Sequence, residues 1–188
     1  MDSPVQSTPT LALDRNLTVM VGGDRDVFDR LQPIFSSFSD RVMYVGDLGS
    51  GCVIKLVTNM MGLLVGQVMA EGLTLGMKAG ARLEDLLEIG SRPEVGGILG
   101  PRRESFSQTW FRGNFDPAVF TLDMARKDMM EATEMGRECN VPLPMASVAE
   151  ETFIQAINKG WAKKASIISF AVQEEMGGVQ VRLPEGTR

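Results

Sequence analysis

The sequence predicts a mainly α-helical chain led by a short α/β segment, and three observations carry that prediction. Two β-like runs flank one helical stripe before residue 48, helical periodicity dominates from Gly51 onward, and almost no further β-like run occurs before Val179. The expected division is an α/β part at 1–48, an all-α part at 49–178 and a flexible tail at 179–188.

The first β-like run is LTVMVGG at Leu17 to Gly23, and the second is RVMYVGD at Arg41 to Asp47. Both are rich in β-branched or aromatic residues and end at glycine or aspartate. Between them Asp24 can cap a helix whose apolar stripe is Val27, Phe28, Leu31, Ile34 and Phe35. Strand, helix, strand is the order of an α/β unit with a parallel or mixed sheet. So few strands leave edges exposed unless helices or another chain cover them.

The longest helix is predicted from about Cys52 to Ala79, stopped at Gly80, with another from Leu83 to Ile89. Gly96, Gly97, Gly100 and Pro101 mark a loop, and SFSQTWFRGNFDP around Trp110 reads as irregular or short-helical. A helix over Val119 to Cys139 should end at NVPLP, where Pro142 and Pro144 remove backbone donors. Helical segments at Met145–Lys159 and Ala165–Glu175 follow, and the tail GGVQVRLPEGTR is expected to fray.

A chain of 188 residues with 44% apolar residues can bury a real core. Its net charge of -5, with basic and acidic residues interspersed, offers no broad cationic face, so nucleic acid is not expected as a partner. Cys52 and Cys139 are the only cysteines and there is no histidine, so neither a disulfide framework nor a metal site is expected, and a reducing cytoplasm fits. The N-terminal residues lack the pattern of a secretory signal. Met60 to Gly76 is strongly apolar, but Gln67 and Glu71 interrupt it, and no membrane span is expected.

Chemistry concentrates in VGDLGSGCVIKLVTN, Val45 to Asn59. On a helix, residues four apart share a face, so Gly51, Lys55 and Asn59 form one line, continued by the small residues Gly62, Gly66 and Ala70. Such a line usually serves plain helix packing, and it also suits a groove open to a ligand. With no histidine to transfer protons, a lysine whose pKa is lowered from about 10.4 is a natural acid/base group. Asn59 adds a donor and an acceptor one turn away. The pair suits hydroxyl-to-carbonyl interconversion, in which a proton leaves oxygen as hydride leaves carbon.

The run GSGCVIKLVTN resembles the G-x-G-x-x-x-K-x-x-x-N motif of the β-hydroxyacid dehydrogenases. AEGLTLGMKAG at Ala70–Gly80, FTLDMARKD at Phe120–Asp128 and ECNVPLP are similar to further segments of that family, in the same order, so the likeness covers nearly all of the chain after Leu17. The resemblance implies an all-α domain like the C-terminal domain of 6-phosphogluconate dehydrogenase, preceded by the remnant of a Rossmann domain. It implies Lys55 as catalytic acid/base, Asn59 as its orienting partner, and Lys127 and Ser166 as contacts to NAD or NADP. Gly51 and Phe120 fall on its substrate side, the substrate being a small hydroxy acid or semialdehyde, and relatives pair through their helical domains, which implies a homodimer.

The start of the chain is similar to the family's D-A-P-V-S-G-G strand, but Gln6, Ser7 and Thr8 replace the Ser-Gly-Gly triplet that grips the substrate carboxylate in relatives. Two hydroxyls are kept and the close backbone approach of glycines is lost. Glu131 replaces a usual leucine, and Lys163, Lys164 and Ala165 fall where many relatives carry an acidic residue before the serine. Glu131 is expected in solvent, and Trp110 and Phe120 can wall a pocket or belong to the core. No G-x-G-x-x-G loop occurs in the sequence. Two readings follow: a truncated dehydrogenase, inactive by itself, or a non-catalytic dimerisation or ligand-binding module on the same fold. An imine reductase fits less well because Lys55 is kept.

Overall fold

The computed structural model describes residues 1–184. Two compact units divide within one long helix, between Met61 and Gly62.

The first unit contains a three-stranded sheet in the order β1 (Val5–Gln6), β2 (Thr18–Gly22), β3 (Arg41–Gly46). β2 and β3 run parallel, joined by α2 (Arg25–Phe38), while β1 lies antiparallel to β2 with Val5 opposite Val19. Asp24 Oδ1 accepts the Val27 N–H at 3.0 Å, the capping bond expected of it. Val19, Val21 and Phe28 are buried, with Leu17, Phe35, Val42 and Tyr44 packed against them. Ile34, expected on the same stripe, is 59% exposed. A sheet this narrow covers only a narrow strip of its helix. A short helix not foreseen in the sequence, α1 (Pro9–Leu13), precedes β2. The first turns of α3 (Ser50–Lys78) complete this unit.

The second unit is helical: the rest of α3, then α4 (Leu83–Gly90), α5 (Gly100–Gln108), α6 (Leu122–Glu138), α7 (Pro144–Asn158) and α8 (Phe170–Gly177). Gly100 and Pro101 open α5 instead of lying in a loop; proline in the first helical turn gives up no intrahelical bond. Trp110 and Phe111 are fully buried; Trp110 meets Phe106, Phe111 and Phe170, and Phe106 meets Phe111 and Phe170, with ring centroids 4.8 to 5.9 Å apart. Trp110 is therefore core. α6 and α7 pack through a close turn in which Gly136 abuts Leu143. Ala165–Glu175, expected as one helix, is a 3-10 turn at Ser166–Ser169 followed by α8.

The segment after Gly178 does not fray within the described residues. Val181 is fully buried, its N–H donates to Glu174 Oε1 at 2.9 Å, and the Leu183 N–H donates to Phe111 O at 3.1 Å. The remainder of the expected tail, residues 185–188, lies outside the described residues.

Candidate functional site

In the first unit the site grows from the N-terminus of α3. A helix start leaves backbone N–H groups without intrahelical acceptors and carries partial positive charge. Asp2 meets both demands: its carboxylate accepts the Gly49 N–H at 2.7 Å and the Cys52 N–H at 2.8 Å. Burial opposes the Asp2 charge, but these backbone donors and the Cys52 thiol hold its pKa below the usual carboxylate range. The same burial, with the Asp2 carboxylate alongside, pushes the Cys52 thiol up. In the sequence Asp2 stands only as the acidic residue that opens the family-like strand. Its signal, an acid two residues before Pro4 on the strand that meets a glycine-rich helix start, is visible only once the strand is placed.

Gly51 is buried here for a geometric reason. A Cβ at this position would stand 2.5 Å from Met20 O and 2.7 Å from Asp2 Oδ2. That packing lets the first turn of α3 settle against β2. Lys55 and Asn59 follow at one-turn intervals, both half-buried. Gln6, at the end of β1, reaches the same place, its Nε2 lying 3.5 Å from Asn59 Oδ1 at the loose limit of hydrogen bonding. Gln6 and Asn59 are thus brought together beside the Lys55 turn.

Ser7 and Thr8 each have a local partner. Ser7 Oγ donates to Asn16 O at 2.7 Å, and Thr8 Oγ1 accepts the Leu11 N–H at 3.3 Å as the cap of α1. Both hydroxyls expected to face substrate hold this short helix and its return to β2.

Phe120, Lys127 and Ser166 belong to the second unit. The Ser166 N–H donates to Phe120 O at 2.9 Å, and Thr121 and Ala165 form an antiparallel bridge, so Phe120 and Ser166 are neighbours through the backbone. Lys127 is 60% exposed on α6 and pairs with Glu131 at 3.0 Å and Asp128 at 3.6 Å. Glu131 raises the Lys127 pKa most, with Asp128 adding to it. Glu131 is exposed, as expected, yet it is tied to the lysine. Lys163 and Lys164 bond Asp123 and Asp116 at 2.5 and 2.8 Å. Lys163 and Thr121 together hold the Asp123 carboxyl low.

The small-residue line along α3 has a packing role at Gly66, where the Phe170 ring would lie 2.9 Å from a Cβ. On another face of α3, Val68, Gly72 and Leu73 form with Leu86, Ile89 and Ile98 an apolar hollow of about 560 Å³. By length and composition α3 could cross a membrane: its mean hydropathy reaches 1.6, and 11% of that apolar window is buried. Among the described residues no three His, Cys, Asp or Glu side chains cluster as metal ligands.

Two family models match the chain. Residues 49–170 match the NAD-binding domain of NADP-dependent 3-hydroxyisobutyrate dehydrogenase, and residues 1–46 match the NAD-binding domain of 6-phosphogluconate dehydrogenase. A 2-(hydroxymethyl)glutarate dehydrogenase of Eubacterium barkeri is 35% identical over 96% of this chain and 59% of its own length. The glyoxylate/succinic semialdehyde reductase 1 of Arabidopsis thaliana is 31% identical over 85% of this chain and 54% of its own length. The chain therefore spans little more than half the length of these relatives. The crystal structure of a 3-hydroxyisobutyrate dehydrogenase from Salmonella typhimurium shares the fold, with a TM-score of 0.75 at 23% identity over 91% of this chain and 59% of that one.

Proposed function

Because this chain belongs to the β-hydroxyacid dehydrogenase family, we propose that it carries the proton-transfer side of an NAD(P)-dependent oxidoreductase acting on a small hydroxy acid or semialdehyde. The observation that supports this most is the convergence of Lys55, Asn59 and Gln6 at the start of α3. In the oxidising direction Lys55 takes the proton from the substrate hydroxyl as the carbonyl forms, and in the reducing direction it returns that proton to oxygen. Asn59 orients the substrate oxygen, and the Gln6 amide holds the Asn59 side chain and offers a polar group to the substrate carboxylate. Gly51 lets this helix turn approach the sheet closely.

The nicotinamide, when bound, exchanges hydride with the substrate carbon. The residues present fit only one end of that cofactor. Lys127, an exposed ammonium paired to surface carboxylates, and Ser166, held next to Phe120, are proposed to meet its nicotinamide end. The 188 residues contain no G-x-G-x-x-G run to cradle the diphosphate. On this reading the 188 residues alone do not turn over.

We place a second copy of the chain on the apolar surface of α3, where Val68 and Leu75 are exposed beside the hollow that reaches Ile89 and Ile98. Gln67 and Glu71 on the same helix support this over a lipid environment. Two free thiols, Cys52 and Cys139, support a reducing, cytoplasmic setting. The net charge of -5 supports no nucleic-acid partner.

The test is to assay the chain alone and joined behind the dinucleotide-binding part of the aligned 2-(hydroxymethyl)glutarate dehydrogenase, against a panel of small hydroxy acids with NAD and NADP. Turnover is expected only in the joined protein, and Lys55→Met should lower kcat by about 10² to 10⁴-fold. Wild-type turnover in Lys55→Met would end the assignment of the lysine. Sedimentation of the chain alone tests pairing, with a monomer at every concentration refuting it.

A further inference from the structure

We infer that the cavity beside Gly62 in the helical unit binds a small carboxylate with an apolar body, gripped by the Arg102 guanidinium. The cavity has a volume of about 130 Å³. Dry protein cavities of about 150 Å³ accept benzene, so this one suits a body of about six non-hydrogen atoms.

Arg102 stands on α5 and lines this space. Its Nη2 lies 3.9 Å from the place a Cβ would take at Gly62, so the glycine leaves the guanidinium room above the helix backbone. Arg102 is half-buried, its backbone N–H donates to Leu99 O at 3.2 Å, and among the described residues its guanidinium has neither a carboxylate at ion-pair distance nor a hydrogen-bond acceptor. A guanidinium drawn out of water without an anion is costly, and its donor fork matches a carboxylate in two parallel bonds.

The other polar groups in the wall are largely engaged. Gln67 Nε2 donates to Ser169 Oγ at 2.8 Å, and Ser169 Oγ donates to Ser166 O at 2.9 Å. What remains is one cationic fork, the Ser166 hydroxyl and the other edge of the Gln67 amide, set among Phe106, Phe153 and Phe170. One cation in an apolar wall selects a monoanion. A phosphate dianion would bring a second charge and more oxygens than this wall can satisfy. The inference does not rest on the redox reading, since it concerns residues 62–170 and its probe requires no cofactor.

Sodium butyrate, titrated into the 188-residue chain and followed by calorimetry and amide NMR, tests it. Saturable one-site binding is expected, with shifts at Gly62 and at the Arg102 side chain. Butyramide and inorganic phosphate should each bind about tenfold more weakly or worse, and Arg102→Met should lose butyrate by a similar factor with its circular dichroism unchanged. The inference is overturned if the folded chain shows no saturable butyrate binding, if amide or phosphate matches butyrate, or if folded Arg102→Met binds as the wild type does. Should Arg102→Met fail to fold, the acid-against-amide comparison on the wild-type chain decides alone.

Discussion

The Cys52 backbone N–H donates to Asp2 Oδ2 at 2.8 Å across fifty positions of sequence. With Gly49 N–H on the other oxygen, one carboxylate from the strand end caps the helix that carries Lys55 and Asn59. Asp2→Asn should cost about 1 to 2 kcal/mol of stability in the first unit, the range of a lost helix cap with its dipole interaction. The pH dependence follows from the sign of the shift. A carboxyl whose folded pKa is depressed stabilises the fold above the unfolded value, about 3.9, and that stabilisation is lost as pH falls through the folded value. The stability gap between wild type and Asp2→Asn in urea should therefore be full at pH 6 and shrink below about pH 4. A gap of equal size at pH 3 would show that the carboxylate charge is not what matters.

Gly51→Ala should be costly and Gly72→Ala favourable, although both residues sit in α3. A Cβ at Gly51 meets Met20 O at 2.5 Å and Asp2 Oδ2 at 2.7 Å, one of them backbone, so the helix start must shift. Overpacking of this kind costs about 1 to 3 kcal/mol. At Gly72 nothing lies within 4 Å, and replacing an exposed helical glycine gains up to about 1 kcal/mol. Chemical denaturation of the two variants gives the comparison. Equal effects would contradict the close approach of α3 to β2.

Periodicity made the helices legible because a helix announces its buried face locally. Phe28 is buried and Phe35 packs against the same cluster, on the stripe the pattern gave between the two β-like runs. The boundaries that shifted lie where a local signal has two uses: Gly100 and Pro101 read as a loop but open α5, since proline is as much at home in a first helical turn as in a turn. The shared helix of Lys55 and Asn59 was legible from their spacing. The local partners of Ser7 and Thr8 were not, because a hydroxyl's partner depends on the path of the chain, and here that path bends into α1. Asp2 and Arg102 were missed for the same reason: one acts on a helix start fifty residues away, and the other is defined by the partners it lacks.

Glu131→Gln should scarcely alter stability. Its bond to Lys127 spans 3.0 Å, but both side chains are largely exposed, and such pairs are worth about 0.3 to 0.5 kcal/mol. The change should instead lower the Lys127 pKa toward its ordinary value, because Glu131 is the main cause of its rise. Side-chain NMR titration of Lys127 reads this directly. An unchanged titration would mean that Asp128 alone controls the ammonium.

Glu174 is the most demanding charge in the helical unit, and Arg182→Met should expose how much depends on it. The Glu174 carboxylate is 5% exposed and accepts from Trp110 Nε1 at 2.8 Å, from the Val181 N–H at 2.9 Å and from both arms of the Arg182 guanidinium at 2.6 and 3.1 Å. Arg182 is thus the cation that balances a buried anion, and it also ties the segment after α8 to the aromatic core. Removing it leaves that charge with neutral donors only, a loss of about 3 to 5 kcal/mol. Glu174→Gln with Arg182→Met removes both charges and should recover part of the loss, because the buried anion is gone while Gln can still accept from Trp110. Denaturant unfolding of the two single variants and the double variant measures the coupling, and limited proteolysis should cut near Val181 faster in Arg182→Met. Additive losses with unchanged cleavage would show that the segment is held by the apolar burial of Val181 rather than by the ion pair.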